Sequence, residues 1–207
     1  MFHRTLAING LVAILRGLRP EEAESVGSAL YAAGIRIIEV PLNSPQPLRS
    51  IEILRNTLPE DCLVGAGTVL SAQQVQAVKD AGGQLIVMPH CDEAVLHAAK
   101  EAGLYLTPGV ATPTEAFAAL AAGADALKLF PAEQVGISAI KAWLAVLPTG
   151  TALLPVGGIT PQNMAPYLQA GAAGFGLGSA LYSPGLPADE VGRRAHAFIQ
   201  ARQAAMP

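Results

Sequence analysis

The stretch AAGADALKLFP (residues 121–131) contains the pattern from which the fold is predicted. An alanine-rich helical segment stops at Ala122-Gly123, and a short aliphatic run follows at once. Glycine commonly ends a helix because it adopts the left-handed conformation without strain. The Ala-Gly pair recurs before other aliphatic runs, at Ala33-Gly34, Ala81-Gly82, Ala102-Gly103 and Ala170-Gly171. Successive glycines of this set are separated by 48, 21, 20 and 48 residues, so each long step spans two repeat units.

This repeat predicts eight strands, each followed by a helix. The strands are predicted at Leu11–Arg16, Ile35–Leu42, Leu63–Val69, Gln84–Pro89, Leu104–Val110, Ala124–Phe130, Ala152–Gly157 and Ala173–Gly178. The helices are predicted to begin near Pro20, Pro45, Ser71, Cys91, Pro113, Gly136, Pro161 and Pro187. Proline favours the first turn of a helix, and Ser71, Thr112 and Thr160 are predicted N-caps.

Eight strand–helix units of roughly 21–25 residues each predict a parallel (β/α)8 barrel. We expect one compact domain over residues 1–207, with a short helix at Phe2–Asn9 against the barrel floor. The alternative is an open doubly wound sheet, which also alternates strand and helix. However, no Gly-x-Gly-x-x-Gly motif opens the first helix, as it does in the dinucleotide-binding form of that fold.

Composition excludes several classes of protein. The chain is 51% hydrophobic and 14% charged, which argues against disorder, and its net charge of −3 argues against nucleic-acid binding. Apolar runs are too short for a membrane span, and no signal peptide precedes the first strand. Cys62 and Cys91 form neither a metal-binding spacing nor a disulfide framework, so we expect reduced thiols in the cytoplasm.

Catalytic groups of such barrels lie at the carboxyl ends of the strands. Lys128 is the most informative candidate, because the segment ALKLFP (126–131) holds no other charge and alternation places Lys128 on the face opposite Leu127 and Leu129. Burial lowers the pKa of a lysine and frees a neutral amine, the nucleophile that forms a Schiff base. A purely stabilising ion pair with a carboxylate is the alternative.

Glu39 is the matching carboxylate, since it too lies within an apolar strand. Its pKa is expected to be raised, which suits proton transfer near neutral pH; alternatively it pairs with Arg16 or Lys128. Arg16 is predicted to bind a substrate carboxylate or to form a salt bridge at the rim. Thr68 offers a hydroxyl between glycines that allow a ligand to approach closely.

Glycine-rich turns end the last two strands, at Gly157-Gly158 and Gly178-Ser179. Their backbone amides are predicted to hold a phosphate, as is usual after strands seven and eight of a barrel; tight turns without a ligand are the alternative. His90-Cys91-Asp92 is interpreted as a solvated loop rather than a metal site, because adjacent residues rarely converge on one ion.

These residues lie in strings that resemble the 2-keto-3-deoxy-6-phosphogluconate aldolase family, in family order from about Leu11 to Tyr182. The strings are ILRG (14–17), EVPLNSP (39–45), VGAGTVL (64–70), ALKLFPA (126–132), PVGGITPQN (155–163) and GLGSALY (176–182). The resemblance implies a class I aldolase on a (β/α)8 barrel, without metal or other cofactor and usually homotrimeric. Such an enzyme cleaves a six-carbon phosphorylated keto acid to pyruvate and glyceraldehyde 3-phosphate.

The resemblance also implies roles for individual residues. Lys128 would form the Schiff base and Glu39 would donate and accept protons, while Arg16 and Thr68 would contact the keto-acid end of the substrate. Gly157, Gly158, Gly178 and Ser179 would hold the phosphate end.

Two departures bear on the substrate. Asn43-Ser44-Pro45 replaces a basic residue and Thr-Glu of the gluconate-specific enzymes, and Val156 replaces a threonine before the glycine pair. A threonine hydroxyl could bond the C4 hydroxyl in one configuration only, and a valine cannot. Both departures favour the galactonate-acting branch, with a gluconate-acting or dual-specificity enzyme as the alternative. A non-catalytic phosphosugar-binding barrel and a phosphosugar isomerase are alternatives from other classes, although neither needs a strand lysine.

Overall fold

The computed structural model describes residues 1–205 and contains parallel strands that alternate with helices. The strands are β1 (Leu11–Ile14), β2 (Ile37–Pro41), β3 (Leu63–Gly67), β4 (Leu85–Val87), β5 (Tyr105–Thr107), β6 (Gly109–Val110), β7 (Leu127–Leu129), β8 (Leu153–Pro155) and β9 (Phe175–Leu177). The helices are α1 (Phe2–Asn9), α2 (Pro20–Ala32), α3 (Pro47–Thr57), α4 (Ala72–Asp80), α5 (Glu93–Glu101), α6 (Pro113–Ala121), α7 (Ala132–Val135), α8 (Ile137–Leu144), α9 (Met164–Gln169) and α10 (Ala188–Ala205). The predicted parallel α/β alternation and the predicted N-terminal helix are both found.

The strands form two parallel sheets rather than the single eight-stranded sheet that the sequence predicted. A curled six-stranded sheet has the order β5-β4-β3-β2-β1-β9, and a three-stranded sheet has the order β6-β7-β8. The predicted fifth strand is divided at Pro108 into β5 and β6. Proline has no N–H to donate to a neighbouring strand, which explains why the ladder is interrupted there.

Backbone hydrogen bonds link the two sheets on both sides. The Asp125 N–H, just before β7, donates to the carbonyl of Leu106 in β5 at 2.9 Å, and the Ala173 N–H, just before β9, donates to the carbonyl of Leu153 in β8 at 3.0 Å. An isolated parallel bridge also joins Val156 to Gly176. The carboxyl ends of strands from both sheets are thereby held close together.

The core has two layers, as the alternation around Lys128 predicted. Leu127 and Leu129 belong to a large cluster between the strands and the helices, whereas Ala126 belongs to a smaller inner cluster. Phe2 and Leu6 of α1 also lie in that inner cluster. The N-terminal helix therefore packs against the inner face of the sheets.

Two of the three predicted N-caps are confirmed and one is wrong. The Ser71 hydroxyl accepts a hydrogen bond from the Gln74 N–H, and the Thr112 hydroxyl accepts one from the Glu115 N–H, each at 3.3 Å. Thr160, by contrast, lies in a turn before α9, which begins three residues later than predicted, at Met164. The Asn163 side chain accepts from the Thr160 N–H and so stabilises this turn instead of a helix.

The remaining helices begin within a few residues of their predicted starts, and the short helix α7 was not predicted. None of the helices in the described part of the chain combines the length and the apolar character needed to cross a membrane.

Candidate active site

Glu39 and Lys128 both face the interior of the curled sheets. Glu39 lies in β2 and is 1% exposed, and Lys128 lies in β7 and is 6% exposed. Both side chains line one small internal cavity of about 10 Å³, whose other walls are mostly apolar. The two predicted catalytic residues are therefore brought together in a buried, mostly apolar environment.

Burial shifts the pKa values of these two groups toward each other. Desolvation raises the pKa of Glu39 to about 7, against the opposing influence of the positive charges of Lys128 and Arg16. Desolvation also lowers the pKa of Lys128, opposed by Glu39 and assisted by Arg16. Burial thus penalises the charged form of both groups, which favours the neutral amine of Lys128 and lets the Glu39 carboxyl exchange a proton near neutral pH.

Two contacts define the surroundings of these groups more closely. The Lys128 ammonium lies 4.7 Å from the centroid of the Phe130 ring, over its face. Glu39 Oε2 is buried and receives no hydrogen bond from any residue of the described chain. The carboxyl oxygen is therefore left available for a proton or a small ligand.

Gly67 makes room for the Glu39 carboxyl. A Cβ atom at this position would overlap both carboxyl oxygens of Glu39, because β2 and β3 are adjacent and parallel. Sequence reasoning connected the glycines around Thr68 with access of a ligand and missed this contact. The signal was nevertheless present, since a glycine within an apolar strand often marks a close approach.

Arg16 lies exposed at the rim, where β1 ends, and contacts two side chains from neighbouring strand ends. One guanidinium N–H donates to Asn43 Oδ1 and another donates to Thr68 Oγ1, at 3.3 Å for the latter. Thr68 adopts a positive φ of 55°, which is uncommon for a residue other than glycine. The predicted site residues Arg16 and Thr68 are thus in contact, and Asn43 joins them as an additional member.

A pocket of about 260 Å³ opens above the Lys128 amine. Its walls include six of the eight predicted site residues, which are Arg16, Lys128, Gly157, Gly158, Gly178 and Ser179. Glu39 lies below the pocket in the small cavity, and Thr68 lies beside it through its contact with Arg16. Val156 lines both the pocket and the small cavity.

The glycine-rich turns have backbone conformations that suit anion binding. Gly157 and Gly158 have φ values of 111° and 64°, and the Asn163 amide donates to the Gly158 carbonyl at 2.7 Å. A Cβ at Gly178 would meet no atom within 4 Å, so its backbone is openly accessible. Successive amides in such turns form concave sites that attract anions.

Sequence reasoning missed one polar residue of this site, Thr107. It ends β5 and lines the same small cavity as Glu39 and Lys128. The alternation that placed Lys128 on the inner face applies equally to Thr107, so the signal was available. It was overlooked because the threonine follows no unusual motif.

The loop from His90 to Asp92 is held by hydrogen bonds to neighbouring helices. Asp92 Oδ1 accepts a hydrogen bond from the Val95 N–H at 3.0 Å, as an N-cap of α5. The Cys91 thiol contacts the Glu115 carbonyl at 3.7 Å. Within residues 1–205, no cluster of three or more histidine, cysteine, aspartate or glutamate side chains is arranged to hold a metal ion.

Comparison with known proteins assigns this chain to a family. The family model described as "Aldolase: KDPG and KHG aldolase" matches residues 3–193. The "Probable 2-dehydro-3-deoxy-6-phosphogalactonate aldolase" of Rhizobium meliloti (strain 1021) is 51% identical over 94% of this chain and 92% of its own length. The "2-dehydro-3-deoxy-6-phosphogalactonate aldolase" of Escherichia coli (strain K12) is 46% identical over 95% of this chain and 96% of its own.

A solved structure extends the likeness to three dimensions. The "Native KDPGal structure" is 46% identical, superposes with a TM-score of 0.92, and covers 94% of this chain and 95% of its own. The family model extends from α1 into α10, and the two relatives match over 94% and 95% of the chain. The chain therefore belongs to the KDPG and KHG aldolase family.

Proposed function

We propose that the chain is a class I aldolase that cleaves 2-dehydro-3-deoxy-6-phospho-D-galactonate to pyruvate and D-glyceraldehyde 3-phosphate. Membership of an aldolase family makes it a carbon–carbon lyase. The observation that carries the Schiff-base chemistry is the buried Lys128 amine beside the buried Glu39 carboxyl, beneath a pocket that could admit a phosphorylated substrate. The names of the two relatives support the choice of substrate.

The reaction begins at the neutral Lys128 amine. Its lone pair attacks the C2 ketone carbon, and the ketone oxygen takes up a proton to give a carbinolamine. Glu39 then donates a proton to the departing hydroxyl, water leaves, and an iminium forms between Lys128 and C2. The carboxyl suits this exchange because its pKa of about 7 lets both protonation states be populated near neutral pH.

The iminium then serves as the electron sink for cleavage, so the proposed mechanism requires no metal or other cofactor. The Glu39 carboxylate, which gave up its proton in the dehydration, takes the proton of the C4 hydroxyl. The C3–C4 bond breaks, and its electron pair moves toward the iminium nitrogen. Glyceraldehyde 3-phosphate leaves with C4, and an enamine of pyruvate remains on Lys128. Glu39 protonates C3 of the enamine, and water then releases pyruvate and restores the free amine.

The proposed substrate contacts follow the arrangement of the pocket. Arg16 and Thr68, which contact each other, bind the carboxylate end of the keto acid, where a guanidinium can form two parallel hydrogen bonds. The amides of the two glycine-rich turns, Gly157-Gly158 and Gly178-Ser179, bind the phosphate. Lys128 lines the same pocket as Arg16 and both glycine-rich turns, which supports an attack on C2 of a substrate held there.

Val156 and Asn43 support the galactonate configuration. The Val156 side chain lines the pocket beside Gly157 and offers no hydrogen bond to a C4 hydroxyl. Asn43 bonds Arg16 where the gluconate-acting enzymes usually carry a basic residue, so the positive charge at this rim is smaller. A gluconate-acting or dual-specificity enzyme is the alternative.

We propose further that the two sheets close into one (β/α)8 barrel and that residues 1–207 form a single domain. The Val156–Gly176 bridge and the Asp125–Leu106 hydrogen bond support closure on the two sides. We also propose a homotrimer in the cytoplasm. Exposed apolar side chains such as Phe117 and Val146 support self-association, and the free cysteines support a reducing compartment.

A coupled assay of pyruvate release tests the proposed activity. We expect faster release from the galactonate epimer than from the gluconate epimer, and none with Lys128→Met. Val156→Thr should raise relative activity on the gluconate epimer by about 10-fold, the scale of one added hydrogen bond. No pyruvate from either epimer, in a chain that still binds sugar phosphates, would favour the non-catalytic binding protein.

A further inference from the structure

Thr107 places a hydroxyl in the interior without a protein partner. It lies in β5, where it pairs with Val87 of β4, and it is 4% exposed. No residue among 1–205 forms a hydrogen bond with Thr107 Oγ1. An unpartnered buried hydroxyl costs about 1–3 kcal/mol relative to one that keeps its hydrogen bonds, so a retained hydroxyl points to an unassigned ligand.

The small cavity beneath the pocket brings this hydroxyl together with the catalytic groups. Its polar side chains are Thr107, Glu39 and Lys128, and its other walls come from apolar side chains and one glycine. Two polar atoms of these side chains, Thr107 Oγ1 and Glu39 Oε2, are both buried and both without a hydrogen-bond partner within the described chain. The cavity volume of about 10 Å³ is at the size that accommodates a single water molecule.

We propose that Thr107 and Glu39 together bind one water molecule beneath the Lys128 amine, which makes Thr107 a positioning residue for the proton transfers of Glu39. The inference rests on the proposed function, because it assigns a role within that mechanism. The three polar groups supply the two to four hydrogen bonds that a buried water requires.

The proposed water fixes the orientation of the carboxyl group. It donates one hydrogen bond to Glu39 Oε2 and accepts one from the Thr107 hydroxyl, so the other carboxyl oxygen is directed toward the substrate. In the proposed reaction Glu39 removes a proton from C3 of bound pyruvate; the C–H electron pair enters the enamine, and the same proton returns in the reverse step. A carboxyl without this support would sample unproductive orientations.

Charges around Glu39 determine how removal of the hydroxyl acts on its titration. Lys128 faces it from β7 and Arg16 faces it from the end of β1, while the contacts from β3 and β4, Gly67 and Leu85, carry no charge. Both cations remain in a Thr107 variant, whereas the water and the hydroxyl are lost. The ionised carboxylate is then less solvated, and its pKa should rise.

The test compares Thr107→Val, which has the same shape without the hydroxyl, with Thr107→Ser, which keeps it. Two reactions of pyruvate alone are measured in each full-length variant: borohydride trapping on Lys128, and exchange of the methyl protons in D2O. We expect trapping in all variants and an unchanged half-saturating pyruvate concentration. The exchange rate should fall about 10-fold in Thr107→Val, which is less than the loss expected when an acid–base group is removed altogether. The rate should recover in Thr107→Ser. In Thr107→Val, the acid limb of the pH profile of the exchange rate should move to higher pH.

The outcomes separate this proposal from the proposed function. If the unaltered chain neither traps pyruvate nor exchanges its protons, the aldolase mechanism itself is wrong. If the unaltered chain does both, and Thr107→Val exchanges at the same rate with the same pH profile, the role of Thr107 is overturned. Should Thr107→Val fail to fold, a crystal structure of the unaltered chain decides. A water within hydrogen-bonding distance of Thr107 Oγ1 and the Glu39 carboxyl supports the proposal, and a dry cavity contradicts it.

Discussion

At the scale of single residues, desolvation is the main cause of the pKa shifts of both proposed catalytic groups. Desolvation penalises charge on Glu39 and on Lys128 alike, so the carboxyl tends to hold a proton and the amine tends to lose one. The attraction between them opposes this tendency without cancelling it. A site built this way obtains an acid–base group and a nucleophile from burial alone, without a third titrating partner.

The pKa of Glu39 predicts the pH dependence of the reaction. The value of kcat/KM should fall as the pH drops below about 7, because protonation then removes the base form of Glu39. Glu39→Gln should lose this acid limb and retain about 1% of the activity or less, as expected when an acid–base group is removed. A pH–rate profile measured with both proteins checks this, and an identical limb in Glu39→Gln would assign it to another group.

Gly67 provides a steric test of the site. Gly67→Ala should reduce kcat by about 100-fold, because its methyl group displaces the Glu39 carboxyl. The backbone of Gly67 does not have a positive φ, so alanine introduces no backbone strain there. Gly192→Ala in α10, where the added methyl group meets only ordinary contacts, serves as the control and should keep full activity. Full activity in Gly67→Ala would show that the position of the carboxyl matters little.

Residue types in an apolar strand could be interpreted from the sequence alone, and their local geometry could not. Lys128 and Glu39 stand out because a charge is rare in such a strand, and both side chains are found buried against one cavity. The contacts of Gly67 with Glu39 and of Asn43 with Arg16 depend on register and rotamer between distant segments. A glycine in an apolar strand can signal a close approach, but a single sequence does not identify the distant side chain that it meets.

At the scale of secondary-structure elements, the helix N-termini form by local chemistry that is separate from catalysis. Thr112 and Glu115 make a reciprocal capping box at the start of α6, on residues outside the pocket wall. This separation makes the stability of an element and the activity of the site independently measurable.

Thr112→Ala should therefore lower the free energy of unfolding by about 1 kcal/mol and leave kcat unchanged. Thr112→Ser, which keeps the accepting oxygen, is the matched control and should lose much less stability. Urea denaturation of the three proteins measures the difference. Equal midpoints for Thr112→Ala and the unaltered chain would mean that the cap contributes nothing.

Elements were predictable where local signals dominate. Ala-Gly helix stops and the caps Ser71 and Thr112 marked their boundaries correctly, because these interactions involve neighbouring residues. The division of one strand at Pro108 and the late start of α9 were not foreseen. The strand division depends on which neighbouring strand would accept a hydrogen bond at position 108, where proline has no N–H. The late start of α9 depends on a competing turn that Asn163 stabilises.

At the scale of the whole molecule, the N-terminal helix affects the chemistry of the site. Phe2 of α1 is buried, its ring lies 5.6 Å from that of Tyr105, and it forms part of the wall of the small cavity beneath Glu39 and Lys128. The apolar floor of this cavity is thus supplied in part by the first turn of the chain.

Phe2→Ala should lower the free energy of unfolding by about 3 kcal/mol, as expected for removal of a buried aromatic ring. Water that enters through the opened floor should also solvate Glu39 and lower its pKa, which moves the acid limb of kcat/KM below pH 7. Phe2→Leu keeps the floor apolar and should largely preserve the limb. Thermal unfolding and a pH–rate profile measure both effects; an unmoved limb in a clearly destabilised Phe2→Ala would contradict the role of the floor.

The central claim is that Lys128 forms a Schiff base with the substrate, and borohydride reduction with pyruvate tests it most directly. Borohydride converts the imine to a stable secondary amine, which peptide mass spectrometry can locate. We expect one pyruvate-derived adduct, on Lys128, and none on Lys79, Lys100 or Lys141, which lie on helices. An adduct on another lysine, or no adduct in folded protein, would contradict it.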